Sequence, residues 1–589
     1  MAEKLTNEQQ SAVDSRERSL LVSAAAGSGK TKVLVERLFS YVEREGANLD
    51  DFLIITYTRA AASELRGKIA KALNERMERD PGNYHLRQQM LRVYRADIKT
   101  VDAFCTSLLR ENCHLLGEDA RGHALRPDFR VLDENEAEVL RGRVLARTLE
   151  DFYDHLTSGG TLLADTLGAG RDDSALEQLV LELHAKLQAQ PYEDKWLDAQ
   201  RAFWRAVPEK IEETPYGKIL LNEVGRKARH CKNLLQRAAQ EMCANDALNQ
   251  KYAPAFLDAS YQLEALEGKT AEGWDAARGV TIAFPRLAAV KDSDGGEMKA
   301  RMKSLWDNCK ETVKGFAEIF SASSDEAVED LRTMAPAMLA LIDLTADFSR
   351  RYNEEKRRRN SADFSDQEHE AIRLLIGEDG APTELARIVS ARYREIMVDE
   401  YQDTNEVQNR IFDAISCKGE NLFTVGDVKQ SIYRFRLADP RIFLQHYNTW
   451  PPLEDAEERD SAKLLLSRNF RSRKEVLDAT NFIFCNILSE EMGELDYGAD
   501  EMLRLGANYV ESSACGAEFH LLDLPTQTGE QRVRASEAEA AFVADYISDM
   551  LTREFPIQDD KTKELRPVRE EDIVILMRSP STRLLDYRR

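Results

Sequence analysis

The sequence predicts an α/β protein with a parallel-sheet core and a large helical insertion. Three observations support this fold class. Short apolar runs alternate with helical patterns in residues 19–79, and a similar alternation returns in residues 394–427. Residues 131–360 are rich in Leu, Ala, Glu, Lys and Arg and carry few strand signals. A phosphate-loop pattern, finally, stands between the first apolar run and the helical pattern that follows it.

In the first region, strands are expected at 20–24 and 52–56, and helices at 32–45 and 59–79. Apolar runs this short, bounded by small or polar residues, are typical of strands that are buried on both faces of a parallel sheet. The order of strand, loop and helix is the one that a phosphate-binding unit requires.

Inside the helical region, the glycine-rich stretches at 158–170 and 291–296 are expected to be loops. The basic run at 350–359 has two interpretations. It could guide DNA phosphates, or it could form a solvated helix face with ion pairs such as Glu354–Arg358. We favour the second interpretation.

After the helical region, strands are expected at 396–399 and 422–426. Two further apolar runs, at 518–524 and 572–577, predict two more buried strands, and residues 536–551 predict a helix. The α/β pattern therefore continues to the end of the sequence.

Length and composition limit the class of protein. The 589 residues suggest about three to five domains. A net charge of −23 argues against a protein that coats nucleic acid electrostatically, although it does not exclude a local groove. The N-terminus lacks the apolar stretch of a signal peptide, and the chain has no run of about 18 uncharged apolar residues that could span a membrane. The eight cysteines show no CxxC spacing, which suggests neither a zinc site nor a disulfide framework. We therefore expect a cytoplasmic protein.

The strongest local motif is AAAGSGKT at 24–31. A phosphate loop has the pattern GxxxxGK[ST], in which backbone amides and a helix N-terminus hold phosphate groups. Lys30 is expected to contact the β and γ phosphates of ATP, and Thr31 to hold Mg²⁺. The alternative is an Ala/Gly-rich turn before a surface helix. The residues expected to bind nucleotide here are Ala24, Ala25, Ala26, Gly27, Ser28, Gly29, Lys30 and Thr31.

A second motif, IMVDE at 396–400, is an apolar strand that ends in two carboxylates. Asp399 is expected to hold Mg²⁺, and Glu400 to act as the general base that activates the attacking water. Many strands end in acidic residues, so this motif is weak alone. Together with a phosphate loop it indicates a nucleotide hydrolase.

Longer motifs resemble those of the UvrD/Rep-type superfamily 1 helicases. DEYQDTN at 399–405 and NLFTVGDVKQSIYRFRLADP at 421–440 are similar to motifs II and III of that family. The Q-motif, motifs Ia and Ib, the short motif before Walker B and motif IV are matched in the same order by LTNEQQSAV at 5–13, TYTRAAASELRGKI at 56–69, TVDAFC at 100–105, DFSD at 363–366 and SRNFRS at 467–472.

Within that family, the wording is most similar to the AddA subunits of bacterial AddAB helicase–nucleases. TVDAFC, FRVLDENEA at 129–137 and the long motif III all show this similarity. So does the separation of 369 residues between Lys30 and Asp399 (399 − 30), which requires a large inserted domain.

The resemblance implies a RecA-like core that uses ATP and Mg²⁺. It implies that Gln9 reads adenine, that Gln430 senses the γ-phosphate and that Arg471 neutralises charge on that phosphate. It also implies 3′ to 5′ movement on single-stranded DNA, double-stranded DNA as a further partner, and a heterodimer with an AddB-type subunit in double-strand break repair and recombination. The candidate DNA-binding residues are Tyr57, Thr58, Thr100, Phe104, Tyr433 and Phe435.

Two positions depart from the family pattern. Tyr57 stands where motif Ia usually has Phe, a change that preserves stacking on a base. Asp102 stands where motif Ib often has His, and an acidic group beside a DNA backbone is unfavourable.

Four segments are expected. Residues 1–130 form the first part of RecA-like domain 1A, and 131–360 form a helical inserted domain of the 1B type. Residues 361–455 return to domain 1A, and 456–589 begin a second RecA-like domain, 2A, that is incomplete. Motifs V and VI and a nuclease domain are not found, so we expect a fragment that binds nucleotide weakly and hydrolyses it poorly by itself.

Three functions remain open at this point. The first is the motor of an AddAB-type helicase–nuclease, which the wording and the long insertion favour. The second is a stand-alone helicase of the UvrD/Rep type. The third is an inactive or structural fragment, against which the intact Lys30, Asp399, Glu400, Gln430 and Arg471 argue.

Overall fold

The computed structural model consists of two compact units. One unit comprises Met1–Val131 and Asn360–Arg589, and the other comprises Leu132–Arg359. The ranges that the structure describes are 5–118, 121–167, 174–291, 296–416, 419–510, 516–524, 534–559 and 562–588.

The strands, in chain order, are β1 (Leu20–Ala24), β2 (Phe52–Thr56), β3 (Asp97–Thr100), β4 (Arg130–Val131), β5 (Ser361–Ala362), β6 (Glu395–Val398), β7 (Leu422–Gly426), β8 (Ala462–Leu466), β9 (Arg468–Asn469), β10 (Arg504–Leu505), β11 (Pro556–Gln558) and β12 (Leu565–Pro567). The helices of the first unit are α1 (Asn7–Asp14), α2 (Lys30–Glu45), α3 (Arg59–Arg79), α4 (Tyr84–Arg92) and α5 (Val101–Asn112). The helices of the second unit are α6 (Glu134–Asp154), α7 (Ser158–Leu167), α8 (Ser174–Leu187), α9 (Glu193–Arg205), α10 (Pro215–Met242), α11 (Asp246–Lys251), α12 (Ala253–Thr270), α13 (Trp274–Arg278), α14 (Gly296–Ile319) and α15 (Ser324–Arg358). The first unit resumes with α16 (Phe364–Leu375), α17 (Glu384–Arg392), α18 (Glu406–Ile415), α19 (Pro440–Thr449), α20 (Lys474–Ile487), α21 (Glu490–Gly493), α22 (Ala535–Thr552) and α23 (Pro580–Arg588).

The core of the first unit is a six-stranded sheet with the order β3-β2-β6-β7-β1-β8. All of its strand pairs are parallel. Strands β1, β2, β6 and β7 are buried along their whole length, which explains their continuous apolar sequences. The predicted α/β fold class with a parallel sheet is confirmed. Because the strands are parallel, the loops at their carboxyl ends meet at one edge of the sheet.

Two strands of this sheet were not expected from the sequence. DIKT of β3 is short and largely polar, and AKLLL of β8 follows a stretch of acidic residues that suggested the start of a new domain. Strand β8 pairs with β1 from Leu20 opposite Ala462 to Ala24 opposite Leu466. The first sheet therefore extends past residue 455, where the sequence placed its end.

The two strands expected at 518–524 and 572–577 are absent from the described part of the chain, where both runs lack a strand assignment. Phe519 is 89 % exposed and Leu576 is 90 % exposed. An apolar run becomes a strand only where a neighbouring strand supplies its backbone hydrogen bonds, and no described strand lies alongside either run. The helix expected at 536–551 is confirmed as α22.

The second unit is helical, as the sequence predicts for residues 131–360. One of its apolar clusters joins α10, α12 and α14, where the rings of Phe256 and Trp306 stack at 4.7 Å. Another cluster joins α6, α7, α8 and α15 around Phe348 and Tyr352. Among the described residues, no helix of either unit is both long and apolar enough to cross a membrane.

The loop predicted at 158–170 is wrong for residues 158–167, which form α7. A Cβ atom added to Gly159 would lie 2.3 Å from the carbonyl oxygen of Pro336 in α15. The glycine therefore permits close packing of two helices and does not interrupt one. Of the second predicted loop, residues 292–295 lie outside the described residues, and α14 begins at Gly296.

The basic run at 350–359 lies at the end of α15 and is paired along the helix. Arg350 contacts Glu354 at 2.7 Å, and Glu355 accepts from Arg358 at 2.7 Å and from Arg359 at 2.6 Å. Lys356 is buried and lies 4.0 Å from the centre of the Tyr352 ring. These contacts support an ion-paired helix face, although the pairs differ from the Glu354–Arg358 pair given as an example.

Candidate nucleotide-binding site

The phosphate loop lies between the end of β1 and the start of α2. Gly27 and Gly29 have φ angles of +68° and +86°, which side chains with a Cβ rarely adopt. Helix α2 starts at Lys30 without a side-chain cap, so its first backbone amides remain available to an anion. Thr31 follows in the first turn of the helix. The predicted loop thus has the backbone form that phosphate binding needs.

Two buried oxygen atoms at this site lack hydrogen-bond partners in the described residues. One is Oγ of Ser28, a residue only 1 % exposed, and the other is Oδ1 of Asp403. Buried polar atoms are nearly always hydrogen-bonded, so unpaired ones call for an explanation. A phosphate oxygen beside Ser28 and a hydrated Mg²⁺ near Asp403 would satisfy both atoms. The residues present therefore fit a magnesium–nucleotide complex.

The carboxylates of motif II follow directly from β6. The backbone N–H of Asp399 donates to the carbonyl of Ile55 at 2.9 Å, which extends the sheet by one bond. Glu400 then adopts a left-handed backbone with φ of 52°. Nζ of Lys30 donates to Oε2 of Glu400 at 3.0 Å, although 370 residues separate the two in sequence. The P-loop lysine and the predicted general base are thus a contact pair.

The electrostatics of the site favour a cation. Burial and the neighbouring charge of Glu400 raise the pKa of Asp399 to about 6. The same two causes, burial first, raise the pKa of Asp403 to about 6. Three carboxylates thus converge on a single lysine, Lys30, and each disfavours ionisation of the others. A bound divalent cation would relieve this repulsion.

Gln402 links motif II to motif III. Its Nε2 donates to Oε2 of Glu400 at 2.9 Å, and its Oε1 accepts from the backbone N–H of Asp427 at 2.9 Å. Asp427 in turn accepts from Nε2 of Gln430 at 2.6 Å. A Cβ on Gly426 would lie 2.4 Å from Oε1 of Gln402, so the end of β7 must be glycine. Gln430 is therefore connected to Glu400 by a chain of hydrogen bonds.

Motif IV lies directly against the phosphate loop. Nδ2 of Asn469 donates to the carbonyl of Ala26 at 2.7 Å, and the N–H of Phe470 donates to the carbonyl of Gly27 at 2.8 Å. A Cβ on Gly27 would lie 2.9 Å from Cβ of Arg471. Arg471 is exposed, and its guanidinium has no ion-pair partner among the described residues. The arginine is thus placed beside the loop with its charge unpaired.

A cavity of about 810 Å³ adjoins the phosphate loop and is lined by Gln9, Ser28, Tyr447, Phe470 and Arg504. Gln9 is 3 % exposed; its Nε2 donates to the carbonyl of Ser28 at 2.9 Å and its Oε1 accepts from the N–H of Thr6 at 3.0 Å. One amide hydrogen and one lone pair of Gln9 remain for a ligand. The ring of Phe470 was not singled out from the sequence, although it stands between Asn469 and Arg471 in motif IV.

Three of the predicted DNA-binding aromatics form a surface cluster. The ring centres of Tyr57 and Tyr433 are 4.5 Å apart, and those of Tyr433 and Phe435 are 5.8 Å apart. Phe435 is 76 % exposed. Thr58 is exposed at the start of α3, where its side chain accepts from the N–H of Ala61. Motifs Ia and III thus present aromatic rings together at one face.

Two predicted DNA-binding residues lie elsewhere. Phe104 is only 4 % exposed, so it packs in the core and cannot stack on a base in this conformation. The cause is the register of α5, whose buried face includes Phe104 and Leu108, four residues apart. Thr100 is buried, and its side chain caps α5 by accepting from the N–H of Ala103 at 3.2 Å. Both residues therefore have structural surroundings.

Comparison with known proteins decides the family. Residues 5–451 match the UvrD/REP helicase N-terminal domain. The chain belongs to the UvrD/Rep helicase family. That assignment covers the phosphate loop, motif II and motif III described above, and it agrees with the fold of the first unit.

Curated relatives in this family are named as AddA-type subunits of an ATP-dependent helicase/nuclease. The relative of that name from Ruminiclostridium cellulolyticum is 34 % identical over 625 residues, covering 98 % of this chain and 49 % of the relative. The one from Acetivibrio thermocellus is 34 % identical over 629 residues, with the same coverage. The one from Clostridium novyi is 35 % identical over 609 residues, covering 98 % and 48 %. The chain thus spans about half the length of these relatives, and the resemblance to AddA-type proteins is confirmed.

In this UvrD/Rep family member, Asp102 interacts electrostatically with a buried carboxyl group. Burial, and next the charge of Asp102, raise the pKa of Glu368 in α16 to about 7. Glu368 accepts from Nε2 of Gln408 at 2.7 Å and from Nδ2 of Asn405 at 3.4 Å. Burial also raises the pKa of Asp102, against the opposing charge of Arg59. The departure at motif Ib thus has a counterpart inside the protein.

This cluster predicts a pH-dependent effect of Glu368→Gln. The pKa of Glu368 is about 7 in the folded chain and about 4.5 in the unfolded one, so the folded chain binds more protons between these values. Its contribution to stability is therefore complete below the lower value and is lost as pH rises through the upper one. Since the variant lacks this loss, its Tm relative to the wild type should be higher at about pH 8 than at about pH 5.

Thermal unfolding at both pH values measures the effect. Glu384→Gln is the matched control, because Glu384 is 75 % exposed and pairs with the exposed Arg387. A Tm difference for Glu368→Gln that is the same at both pH values, or that shrinks as pH rises, would show that the two carboxyl groups do not repel each other.

Proposed function

We propose that this chain binds ATP with Mg²⁺ and couples ATP hydrolysis to movement on single-stranded DNA. The observation that carries the proposal is the convergence of three distant segments on the phosphate loop: Lys30 with Glu400 of motif II, and Asn469 with the loop carbonyl of Ala26. We further propose that the chain is the motor part of an AddAB-type helicase–nuclease in double-strand break repair and recombination. The names of the relatives and the motif wording support that assignment.

In the nucleotide-free site, Lys30 neutralises Glu400. When a triphosphate occupies the loop, the phosphate oxygens offer Lys30 a more highly charged partner, and Glu400 is released. The free carboxylate can then accept a proton from the attacking water. Lys30 thus acts as a switch between the resting and the reactive state of the general base.

The metal position is supported by Thr31 and Asp399. A hydroxyl at the first turn of the helix and a carboxylate at the end of a strand are the ligands expected for Mg²⁺ in this type of site. Bound Mg²⁺ would neutralise phosphate charge. Oδ1 of Asp403, which has no partner in the described residues, could accept from a water of its hydration shell.

The remaining nucleotide contacts follow from the cavity and from motif IV. Gln9 keeps a free donor and a free acceptor, which suits the paired hydrogen-bonding edge of adenine. Phe470 offers a ring against which a base could stack. Arg471 and Gln430 lie on the phosphate side, and an arginine there would stabilise charge that develops on the γ-phosphate.

The DNA contact proposed for this chain is the aromatic cluster of Tyr57, Tyr433 and Phe435. Aromatic rings stack on any base, so they can hold a strand without reading its sequence. This explains how a protein with a net charge of −23 can bind DNA. Thr58, exposed beside Tyr57, could contact the backbone. An AddB-type subunit is the proposed protein partner.

Lys30→Ala tests the nucleotide site. A charge-assisted bond from lysine to phosphate contributes roughly 1.5–3 kcal/mol, so the Kd for ATP with Mg²⁺ should rise about tenfold or more. Titration with a fluorescent ATP analogue measures this directly. Lys227→Ala, which removes an exposed lysine of the helical unit, is the matched control. Equal affinities of Lys30→Ala and the wild type would contradict the proposed site.

Tyr433→Ala and Phe104→Ala together test the DNA surface. Loss of one stacked base should weaken single-stranded DNA binding by about 1–3 kcal/mol in Tyr433→Ala. Phe104→Ala should instead lower the free energy of unfolding by about 3–5 kcal/mol, because it empties a buried site. Fluorescence anisotropy with labelled oligonucleotides and denaturant unfolding separate the two effects. Unchanged DNA affinity in Tyr433→Ala would place the DNA site elsewhere.

A further inference from the structure

A buried ion pair joins motif III to the segment that follows α21. Nζ of Lys429 lies 2.9 Å from Oδ1 of Asp427 and also forms a short contact with Oε2 of Glu501. The side chains of Lys429, Asp427 and Glu501 are 15 %, 2 % and 5 % exposed. A charged group this deeply buried is rare unless it is paired. Sequence motifs alone assign no role to Lys429 or Glu501.

Glu501 is also tied to the nucleotide cavity. The hydroxyl of Tyr447 donates to Oε1 of Glu501 at 2.6 Å. Tyr447 lines the cavity, as do Asp500 and Arg504, which flank Glu501 in sequence. Each oxygen of the Glu501 carboxylate is therefore used: one binds Lys429 on the phosphate side, and the other binds the cavity wall.

On the phosphate side, Asp427 is the branch point of the network. It receives Lys429 on Oδ1 and Gln430 on Oδ2, and its N–H donates to Gln402. Burial alone would lower the pKa of Lys429, but the charges of Asp427 and Glu501 raise it above its ordinary value. The lysine thus stays charged, and its pull on Asp427 fixes the oxygen that Gln430 binds.

From these contacts we propose that Glu501 is a positioning residue for the γ-phosphate response of Gln430. By holding Lys429, Glu501 fixes Asp427, and Asp427 fixes the amide of Gln430. The same carboxylate connects this response to the cavity wall through Tyr447. The inference rests on the proposed nucleotide-binding function and adds the residue that transmits it.

The test compares two nucleotides in Glu501→Gln. ADP lacks the γ-phosphate, so the variant should bind ADP with an affinity within about twofold of the wild type. Its Kd for a non-hydrolysable ATP analogue with Mg²⁺ should rise about fivefold or more, the lower end of ordinary coupling between sites. The measured quantity is the ratio of the two Kd values in the variant divided by that ratio in the wild type.

Two further variants make the test specific. Glu501→Asp keeps the charge, so its ratio should fall between those of the wild type and Glu501→Gln. Glu494→Gln is the matched control: it removes an exposed ion pair with Arg434 seven residues earlier and should leave the ratio unchanged. Tm values of all variants report on folding.

The outcomes separate the two proposals. If the wild type binds neither nucleotide, the proposed function fails and this inference with it. If the wild type binds both, and Glu501→Gln lowers Tm while the ratio stays the same, the ion pair is only structural and the inference is overturned. An equal loss of affinity for both nucleotides would overturn it in the same way, since the γ-phosphate would then play no part.

Discussion

Strand β1 lies between β7 and β8, and the parallel register of these three strands determines which loops meet. Ser23 of β1 is opposite Gly426 on one side and Leu465 on the other. The loops that follow the three strands are the phosphate loop, motif III and motif IV. Because each leaves the sheet at the same edge, segments that are more than 400 residues apart become neighbours. Every later contact of the site depends on this register.

Within that frame, polar side chains connect the loops into one network. Lys30 binds Glu400, Glu400 binds Gln402, and Gln402 binds Asp427. From Asp427 the network branches to Gln430 and to Lys429 with Glu501. Such a network is sensitive at each member, because removing one partner leaves a buried group unsatisfied. A phosphate group that displaces Glu400 from Lys30 would therefore act on side chains well beyond the loop.

Local patterns in the sequence predicted the parts that are locally determined. The phosphate loop, the strand before Asp399 and helices such as α3 carry their signals in a few adjacent residues. The place of β8 in the first sheet, the burial of Phe104 and the role of Gln402 depend on which distant residues they meet, which periodicity does not encode. The apolar runs at 518–524 and 572–577 show the same limit, because strand formation needs a partner strand.

The proposed mechanism works only if Lys30 exchanges Glu400 for nucleotide phosphate. A crystal structure of the chain with Mg²⁺ and a non-hydrolysable ATP analogue tests this most directly. We predict Lys30 Nζ within hydrogen-bond distance of a β or γ phosphate oxygen, the 3.0 Å contact to Glu400 broken, and Mg²⁺ held by Thr31 and Asp399. A nucleotide bound away from the loop, or a Lys30–Glu400 pair that persists beside bound nucleotide, would contradict the mechanism.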